Sequence, residues 1–325
     1  MSTSNPNRII QLPKKVIYKP HDAYGKDSLS HTEIIADCLK ARLNKKLVKR
    51  LDFNTLTFVS TEFIIGVQLI HCQSDIICRV SIDKTDVVYF IIELQSTPDK
   101  YMADRLDEYT VLLARSHQTA EQTLVRPFIV PVCMYNGQTP YPYSTYLYDC
   151  IAYPELAQEY GVLYRFELWD LTQSTIDELL EQGGKSGLFQ ALLKQAKCGE
   201  FIEVLQKVTP EYIQQLPRRH VQSSAMYIYH KSKPEQGEEC LRLLSELIQE
   251  KTVKEEVMSY ADSIHYKGVE KGKQLGMELG IQEGVTRGKQ ESMLQAAKTL
   301  LHQGVEMGTI SLATGLQREQ LLQLR

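Results

Sequence analysis

The sequence predicts an α/β core built as helix, three strands, helix and strand, followed by an α-helical C-terminal region. Three observations carry the prediction. Two apolar, β-branched runs, DIICRVSI at 75–82 and VVYFIIELQ at 87–95, flank a polar turn, which is a hairpin signal. An amphipathic stripe follows at once, and after it PFIVPVCM at 127–134 reads as a buried strand. From about residue 175 onward the apolar spacing turns helical.

Taken in order, residues 1–20 hold Pro6, Pro13 and Pro20 with little periodicity and read as an N-terminal arm. From His31 to Leu47, apolar residues at Ile34, Ile35, Cys38, Leu39 and Leu43 recur at helical spacing. Leu56 to Leu69 is rich in β-branched and aromatic residues and predicts the first strand. After the hairpin, Thr97 fits an N-cap, Pro98 the first helical position and Asp99 the positive end of the helix dipole. Met102, Leu106, Tyr109 and Leu113 then form one stripe. The core is expected over 21–175 and helices over 176–266. Gly268, Gly272, Gly276, Gly280, Gly284 and Gly288 recur every fourth residue, which marks 267–290 as a helical or linker segment. The last stretch, 291–325, reads as a helical hairpin with Gly315 at its turn.

The chain has 325 residues, 43% hydrophobic and 24% charged, with a formal net charge of −3. That length predicts about two domains, and the balance excludes disordered, collagenous and disulfide-scaffold classes. No apolar stretch approaches the ~20 residues of a membrane span, and the N-terminus lacks a secretory h-region. Seven cysteines without paired spacing read as reduced thiols, so a cytoplasmic setting is expected. Charge is uneven: Lys40, Arg42, Lys45, Lys46, Lys49 and Arg50 follow one another without an acid. Such a run either tracks a phosphate backbone or forms a solvated helix end. Lys45 and Lys46 are its candidate DNA contacts.

The hairpin holds the informative residues. Side chains alternate along a strand, so Glu93 and Gln95 share a face. If Asp83-Lys84-Thr85 is a three-residue loop, Ile82 pairs with Asp86 and Asp75 falls opposite Glu93. Directly opposed residues have Cβ atoms ~5 Å apart, close enough for two carboxylates to hold one Mg²⁺. A register shifted by one residue would turn Glu93 to the opposite face. The metal reading therefore depends on the loop length.

Several segments appear in a recognisable order: His21-Asp22, Ser74-Asp75-Ile76, Glu93-Leu94-Gln95-Ser96-Thr97-Pro98-Asp99-Lys100, Arg105-Leu106, Tyr135-Asn136-Gly137 and Pro140-Tyr141-Pro142-Tyr143. The pattern resembles the PD-(D/E)xK nuclease superfamily. More narrowly, it is similar to the Rpn family of recombination-promoting nucleases, also called YhgA-like transposases. The resemblance implies a restriction-endonuclease-like core and a Mg²⁺-dependent DNA endonuclease with little sequence preference, in a bacterial recombination or mobile-element setting. By position, Asp75 and Glu93 would be metal ligands, and Gln95 would stand where most of the superfamily has lysine. Glutamine can hydrogen-bond the attacking water but carries no charge, so slower chemistry is expected unless a second cation or Lys100 compensates. Lys100 and Arg105 join Lys45 and Lys46 as candidate DNA contacts, and Asp22 or Glu33 could supply a third acid. Two departures stand out. After His-Asp the family usually has a Phe-Lys-rich helix start where this chain reads Ala23-Tyr24-Gly25-Lys26-Asp27. Leu94 replaces a frequent His, and facing away from Glu93 it is expected not to affect the site.

Two other readings stay open: a DNA-binding or oligomeric scaffold that kept the fold and lost turnover, and a transposase with an acidic triad on an RNase H-like fold. The latter fits less well, because Asp75 and Glu93 flank one hairpin. The glycine tail, with Leu275, Leu279, Ile281 and Val285, is either a linker or a face for homo-oligomerisation, and the second is expected.

Overall fold

The computed structural model describes residues 20–60, 62–65, 70–233 and 235–324. Residues 1–19 of the expected N-terminal arm lie outside them. The described chain divides into two compact units, Met1–Met258 and Ser259–Arg325.

The first unit opens with helices α1 (Pro20–Leu29), α2 (Thr32–Arg42) and α3 (Lys45–Val48). Strands β1 (Leu51–Phe58), β2 (Glu62–Ile65), β3 (Ile70–Gln73), β4 (Ile76–Ile82) and β5 (Asp86–Gln95) follow, then helix α4 (Met102–Ala120) and strand β6 (Phe128–Tyr135). After α5 (Pro154–Glu159), β7 (Glu167–Asp170) closes the sheet. Helices α6 (Ile176–Gln182), α7 (Gly187–Gln195), α8 (Ile202–Lys207), α9 (Pro210–Gln214), α10 (Arg218–Lys231) and α11 (Gly237–Leu247) complete this part. The sheet order is β1-β4-β5-β6-β7, with β1, β4 and β5 antiparallel and β5, β6 and β7 parallel. The expected α/β core with a helical C-terminal region is therefore present.

Strand β5 is central and covered on both faces, which is why it reads as a continuous apolar run rather than an alternation. Val88, Tyr89, Phe90, Ile91 and Ile92 are all buried. On one face, Tyr89 and Ile91 join Met102, Leu106, Tyr109 and Leu113 of α4, so the four-residue stripe is a core face as expected. On the other face, Leu94 packs on Gly25 of α1, and α1 in turn contacts α2, α7 and α10. The Tyr24 ring stacks on Tyr227 of α10 at 4.1 Å, and its hydroxyl lies 3.0 Å from that of Ser224.

Several elements differ from expectation. The single strand expected over Leu56–Leu69 is two: β1 ends at Phe58, and β2 pairs with β3 in a separate two-stranded sheet. The polar Ser60-Thr61-Glu62 step separates them in sequence, and residues 61 and 66–69 lie outside the described ones. Helix α4 begins at Met102 rather than at Pro98, because the Asp99 carboxylate accepts the Tyr101 N–H at 2.9 Å and holds 96–101 as a loop. The helix expected to Leu47 breaks after Arg42, and the Asn44 side chain caps α3 by accepting the Lys46 N–H. Helix α1 and strand β7 were not expected; one is short with a glycine in its middle, the other has four residues.

Helix α12 (Lys251–His302) runs through the glycine segment, which is thus helical. In the second unit, α13 (Met307–Thr314) and α14 (Arg318–Leu322) turn at Gly315, whose φ of 71° is the left-handed cap glycine tolerates best. Ala297, Ile310 and Leu321 form its small core.

Candidate active site

The site starts from a turn. Asp83 and Lys84 have φ of 51° and 66°, and the Thr85 N–H donates to the Ile82 carbonyl at 3.2 Å. Positive φ at both central residues gives a twist that matches antiparallel strands. The Arg50 guanidinium grips the Asp83 carboxylate from outside, which holds that acid below its usual pKa. The turn sets Ile82 opposite Asp86 and carries the register through to Ile76 opposite Ile92. One step further lie Asp75 and Glu93, at the strand ends.

Here side chains replace the ladder. The Asp75 N–H donates to Glu93 Oε1 at 3.0 Å, and the Leu94 N–H donates to Asp75 Oδ2 at 2.9 Å. Each carboxylate is thereby held by the backbone of the opposite strand. Two acids this close share a pocket that favours one charge over two. Glu93 is only 5% exposed, and burial first, then the charge of Asp75, push its pKa up to about 7. Arg105 of α4 offsets part of this from 3.3 Å, together with the Asp75 N–H and the Ser74 hydroxyl.

The remaining candidates separate clearly. Gln95 follows two residues after Glu93 on β5, and its carbonyl accepts the Asn136 N–H at 2.9 Å. Arg105 is tied between Glu93 and Asp99, the latter at 3.2 Å. Lys100 is exposed, with its ammonium 4.7 Å from the centre of the Tyr101 ring. Lys45 and Lys46 are exposed on α3, whereas Arg42 of the same basic run turns in to hydrogen-bond Gln190. Asp22 lies on α1 near enough to Lys26 to favour its charge, while Glu33 on α2 pairs with Lys185. Among the described residues no group of three or more His, Cys, Asp or Glu side chains forms a metal-binding cluster.

Sequence reasoning missed Lys26. From α1 its ammonium reaches Asp75 Oδ1 at 2.9 Å, with 44% of the side chain exposed. Burial works against its charge, but the hydrogen bond to Asp75 and the charges of Asp75, Asp22 and Glu93 outweigh that and raise its pKa. The one available signal was its place just after His21-Asp22. His21 anchors the helix: its ring nitrogens lie 2.6 Å from the Tyr227 hydroxyl and 2.7 Å from the Asn136 amide. Leu94 does face away from Glu93, yet it rests on the helix that carries Lys26. A Cβ at Gly25 would fall 2.4 Å from Leu94 Cδ1, so the two departures from the family pattern are in contact.

The chain matches the model of the family described as "Putative transposase, YhgA-like" over residues 19–223. It belongs to that family. The matched span runs from α1 into α10, so in this YhgA-like chain the carboxylate pair and the helices that support it fall inside the shared region. It is similar to recombination-promoting nuclease RpnC of Escherichia coli (strain K12), 32% identical over 58% of this chain and 62% of that protein, which is under two thirds of its length. It is also 26% identical to recombination-promoting nuclease RpnA of the same strain, over 95% of this chain and 98% of that one. A further relative, inactive recombination-promoting nuclease-like protein RpnE, is 29% identical over 91% and 94% of the two chains. No solved structure gives a significant match.

Proposed function

We propose that the protein is a metal-dependent DNA endonuclease that cuts with little sequence preference and acts in bacterial recombination, in the cytoplasm. The observation that carries this reading is the register that sets Asp75 against Glu93 on adjacent strand ends. The donor set suits Mg²⁺, which binds through one or two carboxylates and fills its other positions with water and phosphate oxygens. A cation held by the two acids would also oppose the burial and the charge of Asp75 that raise the pKa of Glu93. When bound, Mg²⁺ supplies a lowered water pKa and charge stabilisation at the scissile phosphate.

The chain's own groups do the rest. Asp75 and Glu93 would hold the ion, and the backbone hydrogen bonds from the opposite strands fix both carboxylates before substrate arrives. The Gln95 amide accepts a hydrogen bond from the attacking water and orients it. That water adds to phosphorus, and the bridging P–O bond breaks with its electron pair on the departing sugar oxygen. One proton of the water ends on that oxygen and the other passes to solvent. The names of RpnA and RpnC support the activity, the free thiols Cys38, Cys78, Cys133, Cys150, Cys198 and Cys240 suit a reducing compartment, and no helix among the described residues is long and apolar enough to cross a membrane. The name of RpnE, with the uncharged Gln95, supports a second reading, a DNA-binding scaffold without turnover.

Nicking of supercoiled plasmid by the purified protein decides between them. Cutting that requires Mg²⁺, stops with EDTA and is lost in Asp75→Ala is the expected result. Salt-sensitive DNA binding without cutting would favour the scaffold.

A further inference from the structure

We propose that Lys26 is the catalytic cation of this site, doing from helix α1 what the neutral Gln95 cannot do from strand β5. The proposal rests on the nuclease reading and assigns the missing charge within it. Hydrolysis of a phosphodiester builds negative charge on the non-bridging oxygens, and a preorganised donor aimed at that charge lowers the barrier. Lys26 is placed for this. Its ammonium lies 2.9 Å from Asp75 Oδ1, at the edge of the carboxylate pair, and nearly half of the side chain is open to solvent, where a phosphate approaches. An ammonium has three donors and Asp75 takes one, so a phosphate oxygen or the attacking water can take another.

The other cations near the pair are placed for different work. Arg105 sits between Glu93 and Asp99, and Lys100 lies over the Tyr101 ring. Lys26 is also held in position from three sides. Gly25 presses on Leu94 of β5, the neighbouring Tyr24 stacks on Tyr227, and His21 is fixed by Asn136 and Tyr227. A long, flexible side chain is thus set on a helix whose backbone cannot drift from the strand end, which is what a charge-stabilising group needs. The same ion pair read as structural alone would predict a loss of stability on removal and no selective loss of turnover.

The test measures plasmid nicking, DNA affinity in EDTA and thermal unfolding for wild type, Asp75→Ala, Lys26→Met, Lys26→Arg and the double variant Lys26→Met with Gln95→Lys. The expected result is a fall in kcat of about 100-fold for Lys26→Met, with KM, DNA affinity and Tm little changed. Lys26→Arg should recover part of the rate, and Gln95→Lys should restore it by returning the charge to the strand. Wild-type cutting that Asp75→Ala abolishes but Lys26→Met leaves intact overturns this proposal alone. So does a loss in Lys26→Met that is matched by a lower Tm and not restored by Gln95→Lys. A wild type that does not cut overturns the nuclease reading and this proposal with it.

Discussion

Glu93 is a carboxyl that burial, and then the charge of Asp75, push well above its ordinary pKa, and the consequence is a stability that depends on pH. Its carboxyl titrates near 7 in the folded chain against an ordinary value of 4.5. Between those limits the native state keeps a proton that the unfolded chain has released, so stability is fully present below 4.5 and declines as pH rises through 7. Glu93→Gln removes the titration. Its stability relative to wild type should therefore rise by about 3 kcal/mol between pH 4 and pH 8, read by urea unfolding in EDTA. Losses that do not depend on pH, such as altered packing of the side chain, cancel in that comparison. An equal difference at both pH values would mean that Glu93 is not held in the protonated form. At this scale the sequence was legible where geometry is local: a three-residue loop and a period of two were enough to oppose Asp75 and Glu93. Lys26 was not legible, because its contact with Asp75 arises from tertiary packing of a helix far away in the chain.

At the scale of elements, α1 and β5 are coupled through Gly25 and Leu94. An interior helical glycine costs ~1 kcal/mol relative to alanine, so Gly25→Ala by itself should stabilise. A Cβ there, however, meets Leu94 Cδ1 at 2.4 Å. In wild type the substitution should therefore destabilise or gain nothing, while in a Leu94→Ala background it should stabilise by ~1 kcal/mol. A double-mutant cycle measures the coupling, and additive effects would show that the helix is not held by this contact. The departures at 25 and 94 could be read in the sequence only as two separate oddities; their contact explains why a small residue and a bulky one occur together. Elements were legible where they carry a long, buried pattern, as in β4, β5, α4 and β6. They were missed where the pattern is short, as in β7, or where a side-chain hydrogen bond overrode it, as Asp99 does before α4.

For the whole molecule, the glycine tail is open along its described side chains, while Gly268, Gly272 and Leu275 lie outside them. A Cβ at Gly276, Gly280, Gly284 or Gly288 would meet nothing within 4 Å, and Met277, Leu279, Ile281 and Val285 are all exposed. Apolar side chains beside small residues on an open helix suit close helix–helix packing. Homo-oligomerisation through this tail is therefore proposed. Light scattering should give a multimer for the full chain and a monomer for a chain ending at Met258, with the Tm of the remaining unit little changed. An unchanged mass would rule the tail out as the assembly element.

Asp75 and Glu93 are proposed to hold the metal together. A crystal of the protein soaked in Mn²⁺, with data collected at the manganese absorption edge, tests it most directly. The expected result is an anomalous peak at coordination distance from both carboxylates, with Lys26 beside it and no such peak in Asp75→Ala. Manganese bound elsewhere at concentrations that support cutting, with Asp75 and Glu93 still held by Lys26, Arg105, Ser74 and the strand backbone, would contradict it.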